Sequence, residues 1–209
     1  MRNLKYPLVT YSVVVTCVVV YLLQLISHNK IDYSLFFIPE RIIDNFEVWR
    51  LFTPAIMHFG VMHILFNVMI FNFFGSMIER DYGPSKLLLM FFGFSAVSDF
   101  FQYLFTQNYL FGGLSGVVSG VVGYSMIISV IPGVDSRFKM AVGLCLINIV
   151  FNIYEYFAQS HVAFAAHATG LIAGIAWGVF EYNLIMHRMG RKFSAKDIVN
   201  GIINTLRNR

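Results

Sequence analysis

Charge is scarce in this chain of 209 residues: Asp, Glu, Lys and Arg together make up only 12% of it, about half the share in an average soluble domain. That scarcity, with a mean hydropathy of +0.67, excludes an ordinary water-soluble globule. Cysteine is nearly absent as well. Its two copies, Cys17 and Cys145, sit inside apolar runs, so the sequence implies no disulfide framework and leaves the redox compartment open. There is no H-E-x-x-H pair for a zinc site, no long internal repeat and no polar stretch that would make a soluble domain. The net charge of +4 does not point to nucleic acid, because the basic residues lie between apolar runs rather than along one face. What the chain has in abundance is hydrophobic surface. Apolar residues make up 57%, and Phe alone contributes 22, more than one soluble core of this size can hide.

A helix crosses a bilayer with about 20 largely apolar residues. Six such runs are present, at 8–26, 59–78, 87–105, 114–131, 140–157 and 162–186, separated by turn-forming stretches such as 81–84, 112–113 and 131–133. They predict an all-α, polytopic membrane protein with six transmembrane helices, forming a single membrane domain. The first run follows Arg2 and Lys5 as a signal peptide would, but it is long for one and no A-x-A-like cleavage site follows, so it reads as an uncleaved first span. Orientation comes from the fifteen Lys and Arg residues. Twelve of them (Arg2, Lys5, Arg80, Lys86, Arg137, Lys139, Arg188, Arg191, Lys192, Lys196, Arg207 and Arg209) share one side, against Lys30, Arg41 and Arg50 on the other. The positive-inside bias therefore predicts that both termini lie in the cytoplasm.

Two segments are not spans. Residues 27–58 carry Pro39, the acids Asp32, Glu40, Asp44 and Glu47, and apolar patches such as 35–38. A connection this long and this apolar is expected to fold against the outer interface. At the other end, Ser194 and Asp197 look like a capping box. Ile198, Val199, Ile202, Ile203 and Leu206 then share a face flanked by Lys and Arg. The pattern predicts an amphipathic helix over 194–207, lying on the inner leaflet or packed on the bundle.

Polar groups inside spans are costly, which makes each one informative. Span two carries His63 and Asn67, four apart and so on one helix face. Span four has Ser115 in its first turn, and span six has His167 at its sixth residue. All three spans enter from outside, so these four groups fall within roughly 13 Å of the outer helix ends at about 1.5 Å rise per residue. Small residues would let the helices touch: Gly116, Gly120 and Gly123 in span four, and Ala166, Gly170, Gly174 and Gly178 in span six. If those edges meet, Ser115 and His167 come within reach of one another.

The chemistry follows from the groups. A serine hydroxyl becomes a nucleophile when a base takes its proton, and a neutral histidine is the usual base. Attack on an amide carbonyl builds an oxyanion that needs preplaced donors. The free N–H groups at the helix start around Ser115 qualify, and His63 and Asn67 would add side-chain donors. No acid stands near as a third member, since Asp99 lies on another helix and Glu155 and Glu181 lie near span ends. A Ser–His dyad fits better than a triad. Taken singly, each residue has a plainer reading. A lone membrane serine bonds back to its own helix, a lone His or Asn is interhelical glue, and glycine rows are packing. Asp99 reads as a structural polar contact.

Several stretches occur together in one order: Trp49 and Arg50 followed by Leu-Phe-Thr-Pro at 51–54, Met-His-Ile-Leu-Phe-Asn at 62–67, and Gly-Ser-Met-Ile-Glu at 75–79 with Gly83. Gly-Gly-Leu-Ser-Gly-Val-Val follows at 112–118, then Ala-His-Ala-Thr-Gly at 166–170 with Gly174. In these the chain resembles the rhomboid intramembrane serine proteases, especially the minimal six-span GlpG-type bacterial members, over most of its length. The first span and the C-terminal helix match only in placement. The resemblance implies a rhomboid-like bundle in a bacterial inner (plasma) membrane and an endopeptidase acting through an acyl-enzyme, with Ser115 as nucleophile and His167 as base and then acid. It places His63, Asn67 and the Ser115 N–H in an oxyanion hole. Trp49 and Arg50 fall on the structural motif of the outer loop, Glu79 on a helix-pinning carboxylate at the cytoplasmic end, and Gly170 and Gly174 on the small-residue motif of the sixth span. Span five with span two would give lateral access, with Phe66, Phe151, Tyr154 and Phe157 as gate candidates. Transmembrane protein substrates and the bilayer are the implied partners, with no cofactor, metal or nucleic acid.

One departure stands out. Relatives of this type usually carry Tyr four residues after the nucleophile, where this chain has Ser119. Ser119 begins a second Ser-Gly-Val-Val about 6 Å deeper, without the Gly-x that precedes Ser115. Two other functions compete with the protease. One is a catalytically silent rhomboid-like binder of membrane proteins, although such relatives normally lack the Ser or His. The other is a channel, although ionisable pairs do not run through the full thickness.

Overall fold

In the computed structural model the described residues are 6–131, 134, 136–157, 163–190 and 194–207. Arg2, Lys5, Arg191, Lys192 and Arg209 of the orientation argument, and residue 162 of the sixth run, fall outside them. Among the described residues seven helices exceed ten residues: α1 (Leu8–Ile26), α2 (Val61–Tyr82), α3 (Pro84–Thr106), α4 (Ser115–Ile128), α5 (Met140–Phe157), α6 (Phe164–Arg188) and α7 (Ala195–Arg207). Helices α1, α2, α3 and α6 are long and apolar enough to cross a membrane by length and composition; α4 is shorter. Their outer faces are apolar, with Val15, Leu22, Leu65, Met69, Leu89, Ile172 and Phe180 exposed. A water-soluble protein hides such side chains, whereas a protein solvated by lipid presents them.

The helix junctions follow from local chemistry. Helix α2 ends at Gly83, whose φ of +99° suits only glycine, and its N–H returns to the Glu79 carbonyl at 2.9 Å. Pro84 then opens α3 at the first-turn position where its missing N–H costs nothing. Ser194 Oγ accepts the Asp197 N–H at 3.2 Å, capping α7. At the start of α1 the Glu79 carboxylate, buried in α2, accepts the Val9 and Thr10 N–H groups at 2.9 and 2.8 Å and the Thr10 hydroxyl at 2.8 Å. An anion thus meets the positive end of the α1 dipole and satisfies donors that a helix start leaves open.

At the same end of the bundle Lys86 of α3 binds Glu181 of α6 and donates to the Tyr124 hydroxyl of α4 at 2.6 Å. Residues 27–60 fold over the opposite end as short helical turns, Asp32–Leu35, Pro39–Asp44, Val48–Leu51 and Thr53–Ile56. Arg50 fastens that connection. It is buried, donates from Nη1 to the Tyr33 and Phe36 carbonyls at 2.6 and 3.0 Å, and pairs with Glu47. Thr53 donates to the Leu35 carbonyl at 2.7 Å. Trp49, by contrast, is half exposed, with its indole N–H at 3.4 Å from the Ser34 carbonyl.

Helix α4 is the hub. Twelve of its 14 residues are buried, and it packs against α2, α3, α5 and α6. Its three glycines lower intrinsic helix propensity by about 1 kcal/mol each, a cost offset by the close packing they allow. Fourteen residues span only about 21 Å, and the apolar run over 114–131 overstates the helix. Hydropathy continues past Ile128 while the backbone turns, with Val130 and Ile131 bonding to carbonyls three residues back. The other helix bounds differ from the expected ones by one to four residues at one or both ends, except in α1 and α5, where they coincide.

Candidate active site

Ser115 is the first residue of α4, half-buried, at the covered end of the bundle. Gly113 precedes it with φ +136° and donates its N–H to the Pro54 carbonyl at 2.8 Å. A Cβ on Gly113 would stand 2.7 Å from both Cε1 and Nε2 of His63 and 3.6 Å from Ser115 Oγ. The space left by the missing side chain is therefore where the His63 ring sits beside the serine hydroxyl. Gly112 is also tightly packed, since a Cβ there would lie 3.0 Å from both the Pro54 carbonyl oxygen and Met57 Cβ. Asn67 stands one turn along α2 from His63, buried, with Nδ2 donating to the His63 carbonyl at 2.9 Å. Its carboxamide nitrogen carries a second hydrogen that this bond does not use.

The glycine edges of α4 and α6 are in backbone contact. A side chain on Gly170 would collide with the Gly116 carbonyl, and one on Gly174 with the Gly120 carbonyl. Gly123 lies against the Leu171 carbonyl, and Gly178 against the Ile127 side chain. His167 is buried in the first turn of α6, three residues before Gly170. Ser115 stands one residue before Gly116. Both residues thus belong to the helix starts that meet at the uppermost contact of the seam.

Two supports escaped sequence reasoning. Gln102 of α3 accepts the Ala166 N–H at 3.0 Å, satisfying a first-turn donor of α6 beside His167. Ser98, one turn earlier, presses its hydroxyl against the α carbon of Gly116. The polar series Ser95, Ser98, Gln102 at helical spacing was a readable signal inside an apolar span. Asp99 is also buried there, and its Oδ2 meets no hydrogen-bond donor among the described residues. Ser119 is fully buried and accepts a hydrogen bond from Asn148 Nδ2 of α5 at 2.9 Å. Of the gate candidates, Phe66 is exposed on α2, while the side chains of Phe151, Tyr154 and Phe157 lie outside the described residues.

His58 was missed altogether. It lies in the outer connection, where periodicity gives no signal, and is 1% exposed. Its N–H donates to Gln24 Oε1 at 3.1 Å, and its ring packs edge-on against His63, centroids 5.0 Å apart at 62°. Neither ring nitrogen has a hydrogen-bond partner among the described residues. Burial, reinforced by the neighbouring His63, pushes its pKa down to about 4 from 6.5. His58 is therefore an uncharged wall that holds the His63 ring. Because the unfolded chain takes the proton first, this contribution to stability is complete above pH 6.5 and is lost as pH falls towards 4. The expected loss reaches ~3 kcal/mol. Denaturation of the purified protein across that range should show it, and His58→Phe, which keeps a ring and removes the titration, should flatten the slope. An unchanged slope in the variant contradicts the assignment.

Comparison with known proteins bears on the same residues. The family model described as "Rhomboid domain" matches residues 45–183, from before Trp49 to beyond Gly174. The Rhomboid protease GlpG of Haemophilus influenzae is 32% identical over 183 residues, covering 84% of this chain and 92% of that protein. Rhomboid protease GlpG of Yersinia pestis and of Yersinia pseudotuberculosis are each 33% identical over 183 residues, covering 87% of this chain. The match spans 65% of those two longer proteins.

Proposed function

The chain belongs to the rhomboid family, and from that premise we propose that it is an intramembrane serine endopeptidase cutting transmembrane-helix substrates near their outer ends with a Ser115–His167 dyad. In this reading α1 to α6 all cross a bacterial inner membrane, and the positive-inside bias puts the Glu79 and Lys86 end in the cytoplasm with both termini. The covered end then faces outward. A hub helix of about 21 Å within a hydrocarbon core of about 30 Å leaves its first residue sunk below the surface, in reach of water from outside.

His167 takes the proton of Ser115 Oγ as that oxygen attacks the scissile carbonyl. The resulting oxyanion is met by the Ser115 N–H, which no helical carbonyl can use, by the His63 ring and by the free N–H of Asn67 Nδ2. Collapse breaks the C–N bond, and His167 returns the proton to the leaving amine, leaving an acyl group on Ser115. Water then attacks, deprotonated by His167, and releases the second product and the free hydroxyl. A substrate helix keeps its carbonyls bonded, so it must unwind before attack; Gly, Pro or polar residues near its outer boundary and small side chains at the cut suit this site. Helices α5 and α2 form the lateral access, with Phe66, Phe151, Tyr154 and Phe157 at the gate.

The observation that carries this reading is the convergence of the His63 ring and the Ser115 hydroxyl on the space at Gly113, beside the glycine seam that brings in α6. The silent-binder alternative loses ground because both Ser115 and His167 are present. The test is cleavage of a transmembrane substrate bearing a helix-breaking outer segment by the reconstituted protein. Cleavage near the outer boundary is expected, and Ser119→Ala should retain it. A protein that binds this substrate and leaves it intact is a binder, and the proposal fails.

A further inference from the structure

Helix α7 stands apart from the catalytic reading, and its residues divide into three faces at 100° per residue. The first is docked. Ile198 and Thr205 are buried and Gly201 and Ile202 half-buried, against α4 and α5. A Cβ on Gly201 would stand 2.8 Å from Val130 Cβ and Cγ1, so the contact lies just past the inner end of α4. The second face, next to it around the helix, is apolar and uncovered: Val199 is 54% exposed, with Ile203 and Leu206 near 40%. The third is polar. Lys196 and Arg207 border the apolar face, and Asn200, Asn204 and Asp197 lie beyond them, all exposed.

That order of faces matches one environment. A helix lying along the inner leaflet needs apolar side chains turned into the acyl region, cations beside them at headgroup level, and neutral or acidic groups towards water. Depth agrees, because α7 follows the end of α6 at Arg188 by seven residues and touches the chain two residues beyond α4. The charge at the border is of one sign, which selects among lipids. Lys196 and Arg207 lie 20° apart on the helix, on one line, where the phosphates of acidic headgroups can meet both. In sequence Arg188, Arg191 and Lys192 add to the same side.

We propose that α7 binds the inner leaflet by its Val199–Ile203–Leu206 face, with Lys196 and Arg207 selecting anionic phospholipid headgroups, and thereby fastens the inner ends of α4 and α5 to the membrane surface. The proposal rests on the membrane placement above and is independent of the chemistry at Ser115.

Two arms test it with the full-length protein. Val199→Cys and Asn204→Cys are labelled with an environment-sensitive dye in phosphatidylglycerol-containing vesicles; the native Cys17 and Cys145 are buried and leave the new thiols as the reactive ones. The label at 199 should be quenched by nitroxides on lipid chains and that at 204 by a water-soluble quencher. In mild detergent, phosphatidylglycerol should raise the unfolding midpoint more than phosphatidylcholine. The amount for half-maximal effect should be on the order of tenfold lower for the wild type than for Lys196→Glu/Arg207→Glu. Lipid-inaccessible label at 199 overturns the proposal, whether because water reaches it or because a protein partner or second copy covers both positions. Equal response to the two lipids, or no change in the double variant, overturns the headgroup assignment. Neither arm reads proteolysis, so either failure leaves the dyad untouched.

Discussion

Gly174→Val is expected to lower the stability of the folded bundle by ~3 kcal/mol or more, a large share of the ~5–15 kcal/mol that native proteins have in hand. A side chain at this position runs into the Gly120 carbonyl of α4. Neither partner can yield by turning a rotamer, because a Cβ is fixed to the α6 backbone, the atom it meets belongs to the α4 backbone, and α4 is enclosed by four other helices. The helices must part, and the whole seam from Gly116–Gly170 to Ile127–Gly178 opens with them. Ordinary core overpacking costs ~1–3 kcal/mol because flexible side chains absorb it; here that relief is missing. Parting the helices also moves His167 from Ser115, and a misplacement of about 1 Å lowers rates ~100-fold. Thermal unfolding in detergent and cleavage in vesicles should fall together. Gly93→Ala is the control. A Cβ there meets only Trp177 at 3.9 Å, so it should cause no loss of stability and gain up to ~1 kcal/mol in helix propensity.

The second large effect concerns chemistry rather than packing. Ser115→Ala and His167→Ala should each lower the cleavage rate by at least ~1,000-fold, and the double variant should be no worse than either one. Residues that act as a unit fail as a unit, since a base without a nucleophile and a nucleophile without a base do the same nothing. His63→Ala should cost ~100–1,000-fold, the scale for removing one oxyanion donor. Ser115 is half-buried, and losing one hydroxyl there should leave the unfolding midpoint nearly unchanged. A substrate-turnover assay paired with thermal unfolding separates these variants from Gly174→Val, which loses both.

How far the sequence could be read depended on what each feature rests on. The all-helical, lipid-solvated character was legible from composition, and the rhomboid family from ordered motifs between Trp49 and Gly174. The glycine edges were legible because helical spacing is a local property: residues four apart share a face wherever the helix goes. The end of α4 was not legible, because the run to Ile131 stays apolar after the backbone has turned. Here hydropathy and hydrogen bonding part company, and Val130 is apolar in order to meet Gly201 of α7. His58 was invisible for the opposite reason. It sits in irregular chain, where no period links it to His63, and only the fold sets its ring on that neighbour. Gln102 lay between these cases, detectable as a polar stripe on α3 but with a partner, the Ala166 N–H, that no local pattern announces. Ser119 was noticed for the tyrosine it replaces, and its bond to Asn148 of α5 needed coordinates.

The central claim, that Ser115 is the nucleophile activated by His167, is tested most directly by a serine-reactive fluorophosphonate applied to the folded protein in mild detergent, with the modified residue located by mass spectrometry. The expected result is one adduct on Ser115, retained in Ser119→Ala and lost in both Ser115→Ala and His167→Ala. An adduct on Ser119, or labelling of Ser115→Ala equal to that of the wild type, would contradict it.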